Sequence, residues 1–183
     1  MPERPPLLSL AGMILILFGA MALMNLVTTE LAGQGTQTVV GEVKNPLTEA
    51  LGRSQGYQWF QKVLLAPKFL IGVFGVLTGI GVVRGREFAR KGALLWALAY
   101  LVLGFTETCA NVSYTREAVA AITLPPTMQP AQVEAAKQGL INSSLIGAVF
   151  SLGFVLALAV ALILVLTRRE NVAFCRWTPA QLE

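Results

Sequence analysis

Two ionisable side chains stand inside stretches that are otherwise apolar. Lys68 follows Pro67 near the start of one apolar run, and Glu107 interrupts another. A charge placed in hydrocarbon is costly, so it pairs or lines a wet cavity. The spacing favours a pair. Between the two runs lies a short charged hinge, Arg84-Gly85-Arg86-Glu87-Phe88-Ala89-Arg90-Lys91. Lys68 comes 16 positions before Arg84, and Glu107 comes 16 positions after Lys91. With both runs helical, a rise of 1.5 Å per residue puts each charge about 24 Å from the hinge, at matching depth. Lys68–Glu107 is therefore the expected ion pair.

Other polar groups fall at a similar depth. Asn25 closes the first apolar run, Thr106, Thr108 and Asn111 flank Glu107, and Asn142, Ser143 and Ser144 precede the last run. Lys68, Glu107, Asn25, Asn111 and Asn142 form a candidate binding set for a small ligand or a lipid head group. The competing reading is that helix ends at the membrane–water interface carry polar residues at little cost. A proton relay has less support, because nothing comparable to Glu107 sits deeper.

The chain offers little other chemistry. It has no histidine. That removes the commonest general base near neutral pH and the commonest metal ligand. Haem or zinc held by histidine is excluded, and no cofactor is implied. Ser143-Ser144 has no base beside it. There is no phosphate-cradling Gly-rich loop, no nucleophile elbow and no carboxylate cluster. The expectation is a protein that is not an enzyme.

The elements that would position these residues are set by composition. Hydrophobic residues make up 55% of the 183 and charged residues 13%, against roughly 25% charged in soluble domains. Four apolar runs, at about 7–27, 64–83, 92–112 and 140–167, are long enough to cross a bilayer. Backbone groups in lipid must bond within their own segment, so the spans must be helices. The expected fold is an all-α membrane protein, a single domain. Four transmembrane helices form an antiparallel bundle, and short amphipathic helices lie over its outer face. The outer loops are 28–63 and 113–139. Asn45-Pro46 and Pro130 read as helix starts, and Tyr114 to Ile122 as a short helix ended by Pro125-Pro126. Tyr57, Trp59 and Phe60 suit an interface, and so does the tail around Phe174 to Trp177.

The first run raises a second possibility. Ala20-Met21-Ala22 resembles a signal-peptide cleavage site. The run is longer than the usual ~7–15 residues of such a peptide and has only Arg4 before it, so a retained helix is expected.

Basic residues near span ends mark the cytoplasmic side. Arg84, Arg86, Arg90 and Lys91 fill the hinge, Arg168, Arg169 and Arg176 follow the last span, and Arg4 precedes the first. All fall on one side of a four-span chain. Both termini are therefore expected in the cytoplasm. The net charge of +4 reads as this topology signal, and nucleic acid is not an expected partner. Arg84, Arg86, Arg90 and Lys91 could also meet anionic lipid head groups. Cys109 and Cys175 end up on opposite sides, far beyond the Cα limit of about 7 Å for a disulfide.

Gly72, Gly75 and Gly79 lie three and four apart, on one face of the second span. Small residues at that spacing let helices approach closely. The face could pack on Gly12 and Gly19 of the first span, or on a membrane protein partner or a second copy.

From Thr78 through the hinge to Gly92, the chain resembles a broad group of small bacterial four-span membrane proteins. They carry a Gly-rich second span and an Arg/Lys-Gly-Arg/Lys-x-aromatic-Ala-Arg hinge. Here Phe88 takes the aromatic position, where tryptophan is more usual, and the two outer loops are longer. The resemblance implies a four-helix bundle in a bacterial inner membrane. It supplies no activity, ligand or catalytic residue. The leading expectation is a non-catalytic accessory or scaffold subunit of a membrane complex. The alternative is a small carrier, channel or lipid-binding protein with a pocket around Glu107. Membrane lipids are partners in either case.

Overall fold

Helices account for nearly all of the described backbone, and proline marks three of their starts. The computed structural model describes residues 5–35, 46–122 and 129–177. Arg4, Asn45 and the Pro125-Pro126 break lie outside them. The helices are α1 (Pro6–Gly35), α2 (Pro46–Arg53), α3 (Gln55–Val83), α4 (Glu87–Ala121), α5 (Pro130–Thr167) and α6 (Arg169–Trp177). Pro6, Pro46 and Pro130 each take the first helical position, where the N–H they lack would have no partner. Ser54 separates α2 from α3 and caps α3, its hydroxyl accepting from the Tyr57 N–H.

Helices α1, α3, α4 and α5 are long and apolar enough to cross a membrane. They also wear their apolar side chains outward. Met24, Leu70, Val149 and Phe150 are 65–75% exposed, an arrangement that suits lipid and not water. The result is an all-α membrane bundle, as expected. Its helices run further than the apolar windows. The stretch from Tyr114 is the end of α4, not a separate helix, and α1 continues to Gly35. Once nucleated, a helix gains one hydrogen bond per added residue and needs a definite stop. Polarity alone does not stop it. One short helix, α2, packs at the loop end of α4, and the other, α6, lies at the hinge end.

The register is antiparallel throughout. Gly12 of α1 meets Gly79 and Val83 of α3, and Gly19 meets Gly72 and Val76. A Cβ on Gly19 would stand 2.7 Å from the Gly72 carbonyl oxygen, and one on Gly79 would stand 2.8 Å from that of Gly12. The expected glycine face is thus spent inside the molecule, letting the backbones of α1 and α3 touch. Gly75 on the same face makes room for Trp96 of α4, whose indole nitrogen would lie 2.7 Å from an added Cβ. Trp96 is 1% exposed. It donates its N–H to the Ile71 carbonyl at 2.8 Å and stacks on Tyr100 at 4.8 Å. One side chain so joins α3 to α4.

The hinge is a helix stop built from backbone bonds. Gly85 sits at φ 71°, a conformation costly for any residue with a Cβ. Its N–H bonds the Val82 carbonyl, and the Arg86 N–H reaches back to Gly81, the Schellman pattern. Gly81 then lies against Ala89, and Gly92 against Thr78, so α3 and α4 leave the turn in close contact. At the other end Tyr114 packs on Tyr57 and Phe60, at ring distances of 5.5 and 5.7 Å. Of the three expected interfacial aromatics, only Trp59 stays largely exposed.

One hinge-end expectation needs correction. Arg90 is buried and donates to the Leu166 carbonyl at 3.0 Å, so it does not present its charge to lipid. It occupies the C-terminal end of α5, where orphan carbonyls and the helix dipole favour a cation. The tail helix α6 packs one face on the bundle. Asn171 donates to the Val165 carbonyl at 2.6 Å, Cys175 is fully buried, and Arg176 approaches Glu87 at 3.5 Å. Arg84, Arg86 and Lys91 are exposed, Lys91 paired with Glu87 at 3.4 Å.

A methyl group introduced by Gly19→Ala should lower bundle stability by about 1–3 kcal/mol through overpacking. Gly147→Ala, at a site with open space around it, should change stability by less than about 1 kcal/mol. Thermal unfolding of both variants in one detergent checks the contrast.

Candidate functional site

The equal offsets of Lys68 and Glu107 from the hinge become a contact. Because α3 and α4 start from one tight turn and run antiparallel, residues equally distant from it come level. The Lys68 ammonium donates to Glu107 Oε1 at 2.6 Å, with 26% and 30% of the two side chains exposed. Each charge thus has its counter-charge inside the apolar span, where an unpaired charge is costly. Neither is sealed off, because the pair forms part of a cavity wall.

The cavity lies among α1, α3 and α4, in the half of the bundle away from the hinge, and holds about 390 Å³. Its lining changes with depth. Nearest the loop end are Asn25 and Leu26 of α1 with Gln61 and Lys62 of α3. One to two turns deeper come Ala22, Leu65 and the Lys68–Glu107 pair. The floor is Phe18, Ile71, Tyr100 and Leu103. Phe18 meets the Tyr100 ring edge-on at 6.5 Å, and Phe154 of α5 lies behind it at 5.9 Å. Charged and amide groups therefore mark one end and aromatic and aliphatic groups the other.

Of the five candidate binding residues, the structure gathers Lys68, Glu107 and Asn25. Asn142 does not belong to the cavity. It is exposed on α5 and accepts a hydrogen bond from Gln138 at 3.2 Å. Asn111 lies one turn beyond Glu107 but is not in the lining, and its buried Oδ1 has no hydrogen-bond donor among the described residues. Lys62, Gln61 and Tyr100 were not foreseen. For Lys62 the helical period gave no signal. It lies six positions before Lys68, and a helix turns through about 600° over six residues, which leaves the two about 120° apart around the axis although only about 9 Å apart along it.

What the wall offers is charge, amide groups and apolar surface. Two lysines against one glutamate leave the wall one positive charge in excess. Among the described residues no group of histidine, cysteine, aspartate or glutamate could hold a metal ion. Cys109, exposed on α4, and buried Cys175 stand at opposite ends of the bundle and are not bonded to each other. No protein-family model, curated protein or solved structure matches the chain.

Removing one member of the ion pair leaves the other without its partner. Lys68→Met or Glu107→Leu alone should therefore cost about 1–3 kcal/mol. The double substitution should cost less than the two losses added together. Unfolding of the four proteins in lipid nanodiscs gives the coupling energy, and strict additivity would show that the pair contributes nothing.

Proposed function

We propose that this is a non-catalytic membrane protein that binds an amphiphile in the cavity around Lys68 and Glu107. The observation that carries this reading is the order of the cavity lining. Polar and charged groups stand toward the loop end, and aromatic and aliphatic groups toward the middle of the bundle. A lipid of the leaflet on that side stands the same way, head toward water and tail toward the bilayer centre. The pocket volume is at the low end of the ~300–1,000 Å³ usual for small-molecule sites. It suits a head group and the start of a chain, with the remainder in the surrounding bilayer. An accessory-subunit role would need a free association surface. The glycine face that argued for one is covered by α1 and Trp96, so lipid binding is the better-supported reading.

The location follows from charge. The exposed Arg84, Arg86 and Lys91, with Arg168 and Arg169 after α5, put basic residues at the hinge end. Under the positive-inside rule that end is cytoplasmic, and the cavity belongs to the outer leaflet. The hinge resemblance supports a bacterial inner membrane. A green fluorescent protein fused after Glu183 should then fluoresce, and alkaline phosphatase in its place should be inactive. The opposite pair of results would reverse the topology.

Binding itself is tested by native mass spectrometry of protein released from nanodiscs. The wild-type protein should carry a bound amphiphile. Ala22→Trp, which fills the cavity from α1, should lose it while keeping its elution volume and melting temperature. Retention of the amphiphile by the filled variant would place it elsewhere and overturn the proposal.

A further inference from the structure

The charges in the cavity wall select among amphiphiles. Glu107 is the lining's carboxylate, and Lys68 already holds it at 2.6 Å. Lys68 already offsets that carboxylate's charge, so the ammonium of a zwitterionic head gains little by approaching it. Lys62 is different. It is exposed in the upper wall, about 9 Å nearer the loop end than Lys68, and makes no salt bridge among the described residues. Gln61 beside it offers amide donors and an acceptor at the same level. The wall thus presents one uncompensated cation, a neutral hydrogen-bonding neighbour, and a neutralised pair beneath.

Resting on the amphiphile reading above, we propose that the occupant is a monoanionic phospholipid, with a phosphodiester and an uncharged hydroxylated head. The phosphodiester lies on the Lys62 ammonium. The head hydroxyls meet Gln61. The first part of a chain descends past the Lys68–Glu107 pair toward Phe18 and Tyr100. The ion pair stays closed and serves as a charge-neutral collar. Lys62 is then the residue that sets specificity, while the aromatic floor accepts any chain. A second anionic charge on the head would find no second free cation among the described lining residues, so phosphomonoesters should bind less well than diesters.

The test uses the full-length protein in nanodiscs with equal amounts of phosphatidylglycerol and phosphatidylethanolamine of the same chain length. Native mass spectrometry reads the ratio of the two lipids that stay bound. The wild type should be enriched in phosphatidylglycerol about fivefold, the factor one lysine supplies near an anionic group. Lys62→Gln should bring the ratio close to one and still carry lipid, and Lys62→Arg should keep the enrichment. Because Lys62 is exposed on a helix, these variants should fold, and their melting temperatures check that. Ala22→Trp should lose both lipids. A ratio near one in the wild type, with lipid that Ala22→Trp removes, would overturn the monoanionic proposal and leave the amphiphile reading standing. A fatty acid bound in place of either phospholipid would do the same. No bound lipid in any protein would overturn both.

Discussion

Backbone contact between α1 and α3 is the constraint on which the rest of the structure depends. In a bilayer, helices gain nothing by leaving one apolar medium for another, so their association rests on close packing and polar bonds. Gly12 and Gly19 on one helix and Gly72 and Gly79 on the other leave no side chain at the points where the backbones meet, and Val83, Val76, Leu23 and Ile16 of the facing helix pack against them. Gly75 extends the same device to α4 by admitting the Trp96 indole. Three helices are thereby fixed in register by small residues, and one buried tryptophan satisfies its N–H on the Ile71 carbonyl.

The cavity is the complement of that contact. The last close glycine of α3 toward the loop end is Gly72, which faces Leu23 and Gly19 of α1. From Ile71 back to Gln61, α3 offers bulkier residues to α1, and the space between the helices opens. The closely packed half of the bundle and the hollow half are consequences of where glycine stops. The aromatic clamp of Tyr57, Phe60 and Tyr114 holds the loop ends of α3 and α4 together beyond the cavity. The hollow is therefore braced at both ends.

Much of this was legible in the sequence. The Lys68–Glu107 contact needed only the helical rise and the shortness of the hinge. The glycine face needed only the helical period, though its partner had two candidates and the structure chose α1. Helix ends were less legible, because an apolar window stops at the first polar stretch and a helix stops at a cap. That is why Tyr114 to Ala121 belongs to α4. Arg90 was misplaced for a related reason. Counting basic residues finds the side of the membrane, not the face of the helix, and this guanidinium turns inward to the end of α5. Asn111 and Asn142 share a depth with Glu107, but the rotation of each helix decides which side chains converge. The Trp96–Ile71 bond and the inclusion of Lys62 depend on the same rotation.

The ion pair also bears on how the chain enters a membrane. Lys68 precedes Glu107 by 39 residues. At about 5–20 residues per second, a ribosome delivers the lysine roughly 2–8 s before its counter-charge. A lone lysine at the centre of a helix costs about 2.5–3.5 kcal/mol to insert, and less nearer the interface. A segment waiting that long without its carboxylate has reason to linger beside the insertion machinery. When Glu107 emerges, α3 and α4 can leave as one hairpin with the charge of Lys68 offset. The short hinge then acts as a timing element, because each residue added to it would prolong the interval during which the lysine stands alone.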